Sequence, residues 1–215
     1  MARWSEAAEL FPNNSWIPLH IATMQLWLGK TEGYAETCRR FLNQAEESTQ
    51  AEAGDRAVKA FCLRPSTDQA AIGQALRMAR KILKTGKGDI EPVNGMEYEP
   101  YYQLSLGMAE YRSRHFAEAD AALLIAEKSV KNRDVYVSAK FFHAMSLVRQ
   151  GQPGAARKLF AEAEANMEPL PADENQPFAR GARNTHDTII QWLAFKEAKA
   201  LLASDEKATG ETRRP

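Results

Sequence analysis

Gly107, Ala119, Leu123 and Ala126 reappear as Ala144, Ala156, Phe160 and Ala163, each 37 positions further along the chain. The stretch 109–119 aligns with 146–156 at the same offset. A fixed period in the thirties, made of two helical stretches and a tight turn, constrains the fold more than any single motif. One hairpin of this kind leaves an apolar face uncovered, and stacking a second hairpin on it supplies the core. The period therefore predicts an all-α chain, a right-handed α-solenoid of antiparallel helical hairpins. Scaffolds of that kind present surfaces to partners and carry no chemistry of their own.

The rest of the chain follows the same helical rhythm. Residues 3–10 read as the end of a helix stopped by Phe11, Pro12, Asn13 and Asn14. Ser15 is placed to cap the next helix, with Pro18 in its first turn, and Gly29 to Gly33 makes a turn. Units are expected at about 15–48, 53–85, 99–131 and 134–167, with Ser66 or Thr67 capping the second helix of the 53–85 unit. Three glycines and a proline in 86–95 mark a loop. Pro169, Pro171 and Pro177 mark a longer connection before a capping helix at about 185–204. A polar tail, 205–215, reads as disordered. Residues 1–204 form one domain on this reading. Alternation of apolar and polar residues is absent outside the loops, so no strand is predicted.

Small residues sit where two helices of a hairpin must approach: Gly107 and Ala119, then Ala144 and Ala156. Leu106, Phe116, Leu123, Leu147 and Phe160 are the candidates to fill the space between hairpins.

Composition narrows the function. Hydrophobic residues make up 44% of the chain, enough for a core, while 28 basic and 28 acidic residues cancel. A nucleic-acid binder needs a positive face to displace counterions from phosphates, so nucleic acid is not an expected partner. Cys38 and Cys62 have no metal-spaced or CxxC partner and read as reduced core thiols. The N-terminus lacks the apolar run of a signal peptide, and no stretch approaches the ~20 apolar residues of a membrane span. The chain reads as soluble and cytoplasmic.

The motifs around the hairpin joints carry a resemblance. His115, Phe116, Ala117, Glu118 and Ala119, with a bulky residue four on and Ala seven on, resemble the tetratricopeptide repeat. Gly33 to Thr37 is a weaker copy with Thr37 in place of Ala, and 7–14 resembles the closing end of another repeat. Pro153 stands where an aromatic is usual, and the 53–85 unit is degenerate. More narrowly, 26–34, 37–42, 60–65, 106–112 and 192–198 resemble the repeat region that follows the kinase domain in large bacterial Ser/Thr protein kinases of planctomycete and verrucomicrobial type. That resemblance, over 16–203, implies an accessory interaction region beside an upstream kinase domain. The chain itself has no HRD, DFG or APE motif and no Gly-rich loop, so it reads as non-catalytic. Opening inside what looks like a truncated repeat, it reads as part of a longer polypeptide.

Chemistry of its own has little to stand on. Gly29-Lys30-Thr31 lacks the glycine five positions earlier that a phosphate loop needs, Met24 standing there inside a helix. His20, His115, His143 and His186 are scattered without a metal-binding spacing, and no cofactor or metal is expected. Glu162, Glu164, Glu168, Asp173 and Glu174 are not spaced as a calcium loop. Lys81, Lys84 and Lys87 suit a helix C-terminus.

The repeat resemblance implies that first helices line a concave face used by a protein or peptide partner. On that alignment Tyr101, Ser105, Met108 and Arg112 face the groove in one unit, and Ser138, Phe141, Met145 and Arg149 in the next. Arg112 and Arg149 are suited to clamp a carboxylate bidentately. The same spacing equally suits a packed core stripe with solvated arginines, so both readings stand.

Overall fold

In the computed structural model, residues 14–85, 98–128, 132–177 and 186–212 are described, the side chains of Thr85 and 207–212 excepted. Every regular element among them is helical. They are α1 Trp16–Trp27, α2 Thr31–Glu47, α3 Ala51–Cys62, α4 Gln69–Thr85, α5 Glu99–Arg112, α6 Phe116–Ala126, α7 Arg133–Arg149, α8 Pro153–Asn166 and α9 His186–Thr212. The helix end expected in 3–10, the loop 86–95 and residues 129–131 lie outside the described residues. Each odd-numbered helix up to α7 packs on the helix after it, giving four sequential pairs. The first helices also contact in series, α1 on α3, α3 on α5 and α5 on α7. Helix α9 departs from this order: it packs on α7, on α8 and back on α1.

Three of the joints between paired helices share one geometry. Gly29, Arg114 and Gly151 are left-handed, with φ of 71°, 65° and 73°. At each, the next residue's N–H reaches back five positions: Lys30 to Gln25 O at 2.8 Å, His115 to Glu110 O at 2.9 Å, and Gln152 to Leu147 O at 2.9 Å. The left-handed residue itself donates to the carbonyl three back, on Leu26, Tyr111 and Val148. This is the Schellman arrangement, which satisfies carbonyls that a helix end otherwise leaves unpaired. Gly29 is thus a helix terminator, which accounts for the Gly-Lys-Thr run in structural terms. At the second joint the strained conformation falls to Arg114, an L-residue with a Cβ to place.

The small residues are where close approach requires them. Ala119, Ala126, Ala144, Ala156 and Ala163 are all fully buried. A Cβ on Gly107 would lie 2.5 Å from Leu123 Cγ and 2.6 Å from its Cδ2. Leu123 therefore fills the interior of its own hairpin rather than the gap to the next. Cys38 and Cys62 are free, buried thiols.

Several helix ends differ from expectation, each for a local reason. Ser15 makes no cap hydrogen bond; its Oγ receives Arg56 Nη1 at 2.5 Å, and Asn14 Oδ1 takes the Trp16 N–H instead. Helix α4 is capped by Asp68, whose Oδ1 accepts from Ala71 N at 3.0 Å, while Ser66 Oγ supports Asp68 N. Helix α6 stops at Ala126, with Glu127 and Lys128 in a turn, short of the expected 131. Helix α9 continues to Thr212, through most of the segment expected as a disordered tail. Its extension is anchored by Arg157 of α8, which pairs with Glu206 at 3.0 Å and Asp205 at 3.6 Å.

Candidate functional site

The eight residues expected to line a groove occupy α5 and α7, but they do not form an open surface. Ser105, Met108, Ser138, Phe141 and Met145 are each at most 1% exposed. Tyr101 is half-buried, its hydroxyl taken by the Asn132 side chain. Arg149 alone is exposed. The expectation of a free partner surface is corrected at the buried positions, and the physical reason is visible at two of them. The ring of Phe141 meets Phe195 of α9 at 5.7 Å and Phe160 of α8 at 5.4 Å, and Phe160 meets Phe195 at 5.5 Å. Arg112 is covered by Glu197 of α9.

Arg112 is the hinge of the arrangement. Its Nη1 and Nη2 each donate to a Glu197 carboxylate oxygen at 2.6 Å, the bidentate fork that a planar guanidinium favours. Its Nε donates to Cys62 O at 2.8 Å. Helix α3 ends there, and Tyr34 OH takes the two preceding carbonyls, Ala60 O at 2.7 Å and Phe61 O at 3.0 Å. One guanidinium thus caps α3 and holds α9. The Arg112 side chain is 5% exposed against 23% for Glu197. Burial alone would pull its pKa down; the hydrogen bonds and charge of Glu197 outweigh that and raise it. The guanidinium also lies 5.2 Å from the Tyr111 ring and 5.4 Å from the Phe142 ring. Arg112 thus forms a bidentate pair with a carboxylate of its own chain, and Arg149 takes no part in it.

The remainder of α9 is seated with equal specificity. Trp192 is fully buried, donates Nε1 to Glu168 O at 2.8 Å and packs 5.3 Å from Trp27 of α1. Trp27 donates to Glu174 O at 2.7 Å, and Lys196 lies 3.9 Å over the Trp27 ring while pairing with Glu174 at 2.9 Å. Gln191, fully buried, bonds the Asp134 side chain and accepts from Glu168 N. Residues 192–198 enter the sequence reading only through the kinase-region resemblance, and none of Gln191, Trp192, Phe195 and Glu197 is expected there as a site residue. A helical pattern over 185–204 predicts the helix without saying what it packs against.

Beside the Arg112–Glu197 pair lies a cavity of about 410 Å3, lined by these two and by Pro65, Ser66, Tyr111, Arg114, Phe116 and Arg149. Neither Arg114 nor Arg149 makes an ion pair among the described residues, and both are exposed; Arg149 hydrogen-bonds Tyr111. Several of the other charges noted in sequence are committed elsewhere. Glu162 pairs with Lys140 at 2.9 Å, Glu168 with Arg133 at 3.9 Å, and His143 with Glu127 at 2.7 Å. His115 Nδ1 and Arg80 share the buried Glu110, at 2.8 Å each. Among the described residues no group of His, Cys, Asp and Glu is arranged to hold a metal, and no helix is long and apolar enough to cross a membrane.

We found no match for the chain among protein-family profiles, curated proteins or solved structures.

Proposed function

We propose that the chain is a non-catalytic, TPR-like helical-repeat module that binds an acidic peptide or partner segment. Its hairpins are read as a right-handed α-solenoid with α1, α3, α5 and α7 on the concave side. The reading is supported by the shared geometry of the joints at Gly29, Arg114 and Gly151, the last two again 37 positions apart. The observation that carries the binding function is the seat of α9: a helix of this chain lies against the face expected to take a partner, its Glu197 carboxylate clamped by Arg112. Receiving a helix in a groove through apolar anchors and a charged clamp is a recurrent mode of peptide recognition.

With Phe141 and Arg112 engaged by α9, the partner site is the cavity at its edge. Arg114 and Arg149 offer guanidinium groups without an ion pair among the described residues, and Tyr111 and Phe116 the apolar walls. The test is fluorescence anisotropy with labelled helical peptides carrying Glu or Asp pairs, against the same peptides with Gln or Asn. Saturable binding of the acidic set, weakened about tenfold in Arg114→Ala/Arg149→Ala, is expected for lost charge-assisted bonds. Equal affinity for acidic and neutral peptides, or an unchanged affinity in the double variant, would remove this site.

A further inference from the structure

A second chamber, of about 470 Å3, lies between α1, α3, α5 and the start of α9. Three of its lining residues each carry a buried polar atom without a hydrogen-bond partner: Asp55 Oδ1, Tyr102 OH and His186 Nδ1. The residues are 5%, 3% and 7% exposed. Buried polar groups are paired in nearly all native structures, so three orphans around one cavity call for an occupant. A single water accounts for only about 30 Å3 of such a space.

The three orphans have one capability in common. Asp55 Oδ2 holds Lys59 Nζ at 2.8 Å, leaving Oδ1 able only to accept. Burial raises the Asp55 pKa, opposed by the charge and hydrogen bond of Lys59 and then by the Ser105 hydroxyl, which is itself bonded to the Tyr102 carbonyl at 3.0 Å. His186 Nε2 faces Asp187 Oδ1 at 3.1 Å, an arrangement that keeps the ring proton on Nε2 and leaves the Nδ1 lone pair free in the neutral ring. The Tyr102 hydroxyl accepts as readily as it donates.

Three carboxylates line the chamber, on Glu52, Asp55 and Asp187, against the permanent cations Arg56 and Lys59, with His186 beside Asp187. Both cations are engaged: Lys59 with Asp55 and 4.8 Å over the Tyr101 ring, Arg56 3.6 Å over Trp16 and bonded to Ser15. The rings of Tyr98 and Tyr102 stack 6.2 Å apart and add electron-rich faces.

We propose that this chamber binds an organic cation, through a primary ammonium or guanidinium group whose N–H donors meet Asp55 Oδ1, His186 Nδ1 and Tyr102 OH. The cation belongs either to a small amine or to a Lys or Arg side chain of a peptide, since both present the same donors. This site prefers the opposite charge from the arginine-lined cavity, so the two stand or fall separately.

The test is calorimetric titration of the full chain with butylamine, with agmatine, and with an uncharged-end peptide bearing one central Arg or its norleucine analogue. Sodium acetate is the anionic control. Saturable binding of cations but not acetate is expected. Comparable affinities for agmatine and the Arg peptide would assign a small amine, and an Arg peptide at least tenfold tighter than agmatine a partner side chain. Tyr102→Phe removes an orphan hydroxyl without disturbing a pair, so the variant keeps or raises its Tm while cation affinity falls about tenfold. Absence of binding by every cation, tighter binding of acetate, or an unchanged affinity in Tyr102→Phe at full stability would overturn the proposal.

Discussion

Gly107→Ala tests how closely the two helices of the α5/α6 hairpin approach. The new Cβ would stand 2.5 and 2.6 Å from Leu123 Cγ and Cδ2 and 3.4 Å from Ala119 O. Leu123 is fully buried, so it cannot swing out to solvent, and its Cγ is not a flexible end. Overpacking of this kind typically costs about 1–3 kcal/mol. Replacing Gly by Ala inside a helix returns about 1 kcal/mol of propensity. The net expectation is a loss of up to about 2 kcal/mol, or up to about 8 °C in Tm for a chain of this size. The corresponding position 37 further on already carries a Cβ, in Ala144, and there Phe160 replaces Leu123. Urea denaturation followed by circular dichroism gives the difference directly. Leu123→Ala alone should cost about 2–5 kcal/mol, and the double variant less than the sum, because the new methyl enters space that the leucine vacates. A Gly107→Ala protein as stable as the wild type or more so, with additive behaviour in the double variant, would refute the close packing.

Two further perturbations bear on other parts of the structure. Arg114→Gly relieves a left-handed L-residue worth roughly 1–2 kcal/mol, offset by up to ~1 kcal/mol of added unfolded-state freedom. A rise of up to about 2 kcal/mol in stability by urea denaturation is expected, together with weaker acidic-peptide binding; a loss of stability would contradict the strain. Burial pushes the Cys38 and Cys62 thiols up to about 12 from an ordinary 9. A folded pKa raised above the unfolded one means that the thiol's contribution is fully present below pH ~9 and is lost as pH climbs towards 12. The stability advantage of the wild type over Cys38→Ala should therefore shrink between pH 9 and 11 in urea titrations; a constant difference would show that the thiol ionises freely.

Much of the architecture was legible in the sequence because it is local. The 37-residue offset marks α5–α8, and the small residues Gly107, Ala119, Ala144 and Ala156 fall at the closest approaches. Helix starts were less legible: Ser66, Thr67 and Asp68 are all competent caps, and only the geometry selects Asp68. The joint at Arg114 copies that at Gly151 without the glycine that would announce it. The seat of α9 was not legible at all. Its contacts join residues far apart in the chain, Trp27 with Glu174 and Arg112 with Glu197, and local periodicity carries no information about such pairings. For the same reason the stripe through Ser105, Met108, Phe141 and Met145 fitted an open groove and a covered core equally well.

The central claim is that α9, packed on α7, is tied to α5 by the Arg112–Glu197 pair, and a double-mutant cycle measures that pair alone. Arg112→Met leaves Glu197 facing a thioether and frees the Cys62 carbonyl, while Glu197→Leu leaves a buried guanidinium uncompensated. Breaking one side of a buried pair costs about 3–5 kcal/mol, whereas replacing both sides by apolar groups is often close to neutral. The Cys62 carbonyl is lost in both Arg112→Met backgrounds and cancels in the cycle. In urea denaturation the account predicts single variants each destabilised by at least ~2 kcal/mol and a double variant more stable than their sum by more than ~1.5 kcal/mol. Additive losses, with a coupling below ~0.5 kcal/mol, would show that α9 is not fastened there.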